Sequence, residues 1–300
     1  SLKDQMFPLR LSYHSSLFRA QQREGGRPAE FEQVGVELVG DGTSSADGEV
    51  IALMVETLKE SRLDDFQIAI GYVNALLLDV VGSEERANVL RRYLYEKNYV
   101  GFKQHVKSLP LSSIDEKRLM DLLSLRGGRE KLEDAKTLVS NGEASKALED
   151  LEQLWDVLDG YGVSHHIKLD LNLVMHMSYY TGVVFEGYGS RLGVPLSSGG
   201  RYDELLQRFN RPAQATGFGI RLDLLVEALG QTEALPEQTC ILFSKERRLE
   251  AIEKARQLRK EGKRVVLQDL QGVDNIDELS KAFADVQYYI GNKQGGKIDE

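Results

Sequence analysis

The sequence predicts an α+β protein: a sheet-based domain that opens with a β-hairpin and carries a helical insertion, followed by a small α/β domain. Three observations predict it. Residues 10–41 hold two runs that alternate apolar and polar, separated by the charged stretch QQREGGRPAE. From Ser83 to about Leu158 apolar residues recur at helical spacing amid abundant charge, between glycine and proline boundaries. After Pro236 the pattern becomes β-α-β-α-β at the spacing of a small parallel sheet. The expected division is 1–235, with the insertion at about 83–160, and 236–300.

A chain of 300 residues, 41% hydrophobic and 28% charged, has room for two domains with their own cores. No apolar run approaches the roughly 18 residues of a membrane span, and the start SLKDQMFPLR lacks a signal-peptide pattern. The single cysteine, Cys240, excludes an internal disulfide framework and a cysteine-based metal site, and the cytosol is the expected compartment. A net charge of −9 speaks against a polyanionic partner, since phosphate binding needs Lys and Arg density.

In chain order, RLSYHSSLFRA and FEQVGVELVG form the hairpin, with Phe18, Phe31, Val34, Val36 and Leu38 expected to face inward. Gln33, Gly35 and Glu37 share one face at period two, so Gln33 and Glu37 can point together at a ligand or form a solvated polar face. Ser45 to Ser61 is a helix, capped by Asp47 or Ser45, with Val50, Leu53, Met54, Thr57 and Leu58 as its apolar stripe. A strand at Gln67–Tyr72 and a short helix at Asn74–Val81 precede the insertion, where Trp155 and its neighbouring leucines read as core. The adjacent His165 and His166 lack the spaced third ligand of a metal site, and no metal is expected. KLDLNLV and VVFEGYG are strands. A Gly-Gly turn at 199–200 is expected to open a helix carrying Arg201, Tyr202 and Asp203, and a glycine-punctuated strand then leads into a last helix. QGGK near the C-terminus lacks the pattern of a phosphate loop.

YYTGVVFEGY, SSGGRYDELL and GFGIRLDLL together resemble the histidine-binding core of the histidyl-tRNA synthetases, and FRAQQREGGRPAEFEQVGVELVG resembles their second motif. The resemblance spans about Arg10 to Leu229, and the C-terminal unit is similar in outline to the anticodon-binding domain. It implies a class II synthetase-like antiparallel sheet. It also implies that the family's first motif should precede this sequence, an amino-terminal truncation. Carried over by position, Gln33 and Glu37 would hold the α-amino group of histidine, Tyr179 and Tyr180 would lie beside the imidazole, and Tyr202 would line the same cavity. Arg19 would grip the carboxylate, and Arg27 would sit in the loop that covers ATP.

Two positions depart from the synthetases. Where they have Arg-Gly-Leu-Asp before the tyrosine pair, this chain has Met175, His176, Met177 and Ser178; where they clamp the γ-phosphate with arginine, it has Leu224. Activation drives a carboxylate onto a polyphosphate, and positioned cations lower that barrier; each lost donor costs about two to three orders of magnitude. Met175 and Leu224 therefore mark lost catalytic positions, and no catalytic residue is expected. VVFEGY, RLGVPLSSGGRYDELL and FNRPAQATGFGI resemble the synthetase-like regulatory subunits of ATP phosphoribosyltransferase more closely than the synthetases. That resemblance implies a homodimer within a hetero-oligomer with the short-form catalytic subunit, histidine as effector, no cofactor and no tRNA binding. The alternatives are an active histidyl-tRNA synthetase or another histidine-sensing paralogue.

Overall fold

The computed structural model describes residues 5–19, 29–139, 142–175, 179–230 and 237–291. The chain divides into two compact units, Ser1–Gly230 and Gln231–Glu300. In the first, β1 (Leu9–Phe18) and β2 (Glu30–Val39) form the hairpin. α1 (Ser44–Glu60), β3 (Phe66–Gly71) and α2 (Val73–Val81) follow. The helical stretch comprises α3 (Glu84–Tyr95), α4 (Tyr99–Ser108), α5 (Ser113–Leu122), the two-residue β4 (Arg126–Gly127), α6 (Glu130–Lys136) and α7 (Glu143–Gly160). The chain returns to the sheet with β5 (Ile167–Asp170), β6 (Val184–Gly189), β7 (Ser197–Arg201) and β8 (Ala215–Arg221), then α8 (Leu222–Leu229).

These strands form one eight-stranded sheet in the order β1-β2-β8-β7-β6-β3-β5-β4, antiparallel throughout except where β3 runs parallel to β5. The expected α+β class, with a mostly antiparallel sheet, is the one observed. One sheet face carries Leu38, Ile68, Ile70, Phe185, Phe218 and Ile220, all buried against helices. Helix α1 covers it through Val50, Ile51, Met54, Val55 and Leu58, a spacing that keeps one helical face apolar. Helix α7 packs on α1, with Leu148, Leu151, Leu154, Trp155 and Leu158 buried.

Several local expectations change. Helix α1 starts at Ser44 and is capped by Thr43, whose hydroxyl accepts from the Ala46 amide; Asp47 lies inside the first turn instead. Leu53 is exposed, and Ile51 and Val55 take the places expected for Leu53 and Thr57. Phe18 is 72% exposed, at the end of the edge strand β1. Phe31 and Val34 differ in parity, so they lie on opposite faces and cannot both belong to one inward stripe. The Gly199-Gly200 pair opens no helix: it sits inside β7, Arg201 ends that strand, and the next helical turn is Leu205–Phe209.

The second unit is a three-stranded parallel sheet, β9 (Gln238–Phe243), β10 (Arg264–Asp269) and β11 (Asp285–Tyr289), in the order β10-β9-β11, with α9 (Arg248–Lys260) and the short α10 (Ile276–Ser280). Its core joins Ile241 and Phe243 to Ala251, Ala255 and Leu258 of α9. The QGGK stretch lies outside the described residues. No helix among the described residues is long and apolar enough to cross a membrane.

Candidate functional site

The sheet face opposite α1 holds the candidate site, and its floor is built by register. Gln33 pairs with Arg221, Gly35 with Gly219 and Glu37 with Gly217; β7 sets Ser198 opposite Gly219 and Gly200 opposite Gly217. Directly opposed residues share a face, so Gly35, Gly217, Gly219 and Gly200 form a patch with no side chains of its own. A Cβ on Gly217 would overlap the Glu37 carboxylate, and one on Gly219 the Gln33 amide. One on Gly200 would press on the Tyr180 ring, and one on Gly35 on Tyr13. The glycines let four polar side chains lie flat across the middle of the sheet.

On that floor the Tyr202 hydroxyl donates to Glu37 Oε2, and Gln33 Nε2 donates to the Tyr13 hydroxyl at 2.5 Å. The Tyr179 and Tyr180 rings pack at 4.6 Å between centroids, and Tyr179 meets Tyr202 edge-on at 5.7 Å. Gln33 is only 8% exposed. Burial pushes the Glu37 carboxyl up, and the hydrogen bond from Tyr202 pulls it part of the way back. Burial also raises Tyr180 and Tyr202, with the nearby Tyr179 adding to the first and the Glu37 charge to the second. The result is a half-buried carboxyl group, Glu37, set among the phenols of Tyr179, Tyr180 and Tyr202. Such a set accepts a small cationic or N–H-bearing group and packs a flat ring beside it.

Arg19 lies toward the other end of the same face. Its guanidinium carbon is 5.6 Å from the Phe31 ring centroid, and that of Arg221 is 4.3 Å from the same ring. Arg221 is also chelated by Asp223 at 3.1 and 2.5 Å. Gln33 and Glu37 stand four residues apart, about 13 Å along the strand, so the face is a trough with a carboxylate toward one end and guanidiniums toward the other. The structure thus gathers Gln33, Glu37, Tyr179, Tyr180 and Tyr202 over the glycine floor, with Arg19 toward the Phe31 end. Tyr13 was missed: it is legible only once β1 is registered against Gly35.

The two departing positions fall differently. Met175 is half-buried at the end of the segment that leads toward the tyrosine pair; 176–178 and Arg27 lie outside the described residues. Leu224, 4% exposed, packs into the hydrophobic core from α8. Its apolar side chain is taken up by packing and does not line the trough. No group of three or more His, Cys, Asp or Glu suited to a metal occurs among the described residues, and His166 stacks on Phe66 at 4.4 Å.

Fold and site together define a protein of the histidyl-tRNA synthetase class. The family model described as Histidyl-tRNA synthetase matches residues 1–225, and that described as Histidyl-tRNA synthetase HisZ, C-terminal domain, matches residues 240–291. The ATP phosphoribosyltransferase regulatory subunit of Halalkalibacterium halodurans is 63% identical over 305 residues, covering 100% of this chain and 77% of that protein. A crystal structure of an ATP phosphoribosyltransferase regulatory subunit/histidyl-tRNA synthetase from Bacillus halodurans superposes with a TM-score of 0.83 at 63% identity, covering 97% of this chain and 76% of that one. A histidyl-tRNA synthetase from Nostoc shares the fold at a TM-score of 0.71 and 21% identity, covering 94% of this chain and 69% of that one. The chain belongs to the family of ATP phosphoribosyltransferase regulatory subunits.

Proposed function

We propose that this chain is a non-catalytic, histidine-sensing subunit that assembles in the cytosol, as a homodimer within a hetero-oligomer, with a short-form ATP phosphoribosyltransferase catalytic subunit. It is required there for the first step of histidine biosynthesis and for its feedback by histidine. The observation that supports this most is the asymmetry of the site. Glu37, Gln33 and three tyrosines gather over a glycine floor, whereas Met175 and Leu224 stand where, by the resemblance, the synthetases carry the guanidiniums of activation, and Leu224 packs into the core instead of facing the trough. In this reading Glu37 receives the ammonium group, Gln33 assists it, Tyr179 and Tyr180 flank the imidazole with Tyr202 beside them, and Arg19 meets the carboxylate. Two missing cations, each worth about two to three orders of magnitude in rate, leave binding without adenylate formation.

The test is reconstitution with a short-form catalytic subunit. Co-elution, a rise in transferase activity and its loss on adding histidine are expected. Failure to form a complex, or activity indifferent to histidine, would reject the reading, as would robust histidine-dependent exchange of pyrophosphate into ATP.

A further inference from the structure

The end of β7 faces two ways. Tyr202 turns onto Glu37, while Arg201 before it and Asp203 after it enter a buried polar network on the other side of the sheet. Arg201, 7% exposed, donates from Nε to Asp47 Oδ2 at 2.9 Å, from Nη1 to the Asp41 carbonyl at 3.1 Å and to Asp203 at 3.2 Å, and from Nη2 to the Thr43 carbonyl at 3.1 Å. Thr43 is the cap of α1. Asp203 donates its backbone N–H to the Thr181 hydroxyl at 3.0 Å, and Thr181 donates its own to the Arg201 carbonyl at 2.9 Å. Both Tyr180 and Tyr202 are therefore one residue away from this network. Residues next to each other on an extended chain point to opposite sides, so anything that moves Arg201 or Asp203 also moves Tyr202.

Behind the network lies a cavity of about 540 Å³, lined by Thr181, Arg201, Asp203 and Asp47 together with Lys146 and Asp150 of α7. None of the residues gathered over the glycine floor lines it. Asp47, 6% exposed, takes a second partner in the Thr216 side chain on β8, so the network reaches from the end of β7 to the neighbouring strand as well as to the start of α1.

Resting on the histidine-binding reading of the site, we propose that Thr181, Arg201 and Asp203 are positioning residues that set Tyr202 and Tyr180 over Glu37, and that they couple the amino-acid pocket to the cavity beneath α7. The two sides of one strand end then serve as input and output of the sensor. Linkage makes the coupling reciprocal: whatever fixes the network raises or lowers the affinity for histidine, and histidine alters the network by the same factor.

Thr181→Val removes the acceptor for the Asp203 amide, and Thr181→Ser retains it. Histidine binding is measured by calorimetry, and hydrogen–deuterium exchange is followed at residues 41–48 with and without histidine. In the unaltered protein histidine should slow exchange at 41–48, on the cavity side of the sheet. Thr181→Val should weaken histidine by about three- to tenfold, the loss of one hydrogen bond in a network, and abolish that slowing; Thr181→Ser should restore both. Asp203→Asn, which keeps the shape and lowers the charge, should repeat the effect and serves if the valine variant does not fold. Unchanged affinity in both variants, or protection confined to the strands of the pocket, overturns the coupling. If the unaltered protein does not bind histidine, or binds it without dependence on Glu37, the sensor reading itself fails. Glu37-dependent binding with silent Thr181 and Asp203 variants rejects the coupling alone.

Discussion

Glu37→Gln is the sharpest perturbation of the pocket, because it changes charge and almost nothing else. Glutamine has the same length, fits above Gly217 in the same way, and can still accept the Tyr202 hydrogen bond. What it loses is the carboxylate that would face the ammonium of histidine. A charge-assisted hydrogen bond of this kind is worth about 1–3 kcal/mol, so the dissociation constant should rise by about five- to 150-fold. Burial raises the Glu37 pKa, so the carboxylate of the native protein takes up its proton at a higher pH than an exposed glutamate. Histidine affinity of the unaltered protein should accordingly fall, relative to the variant, as pH drops through that raised value. The folding contribution has the opposite sense. With the folded pKa above the unfolded one, the native state holds more protons between the two, and stability from this group declines as pH rises through that window. The variant lacks that decline and should melt no lower than the parent at pH 8. Calorimetry at pH 8 and pH 5, with melting curves as control, checks both. A folded variant that binds histidine as tightly as the parent would place the effector elsewhere and refute the assignment.

Other outcomes follow from the same geometry. Gly217→Ala sets a Cβ against the Glu37 carboxylate and the Val36 carbonyl, so it should cost about 1–3 kcal/mol of stability by denaturant unfolding and sharply weaken histidine binding. Glu186, on β6 of the same face, is raised by burial and only partly relieved by the Tyr188 hydroxyl, so Glu186→Gln should raise the melting temperature at pH 8 by more than at pH 4. Leu224→Arg should not restore pyrophosphate exchange: the side chain is in the core, and the variant should lose about 3 kcal/mol or more, read by denaturant unfolding.

Much of this architecture is legible in the sequence, and what is not has a physical cause. Period-two alternation locates β1 and β2, glycine punctuation locates β8, and helical spacing locates α1 and the long stretch through α7, because those signals are local. Gln33 and Glu37 were placed on one face by parity alone, which the register with Gly219 and Gly217 now explains. Phe31 and Val34 show the limit: both sheet faces are covered, one by helices and one by the site's own rings, so hydrophobicity does not say which face is inward. Asp47 resembled a helix cap because capping chemistry and a buried ion pair use the same residue type, and only Arg201, 154 positions away, decides between them. The same holds for the Gly199-Gly200 pair. Glycines before a polar run suggest a turn, but here they are strand residues that must lack side chains, since Gly199 faces Phe185 and Gly200 faces Tyr180. Sequence pattern therefore reads the elements and the chemical types of the site, whereas the choice of face, partner and register comes from contacts made far along the chain. Asp47 and the residues around Arg201 misled local reading for this reason: Arg201 at the end of β7 bonds Asp47 and the Thr43 carbonyl at the start of α1, more than 150 positions away.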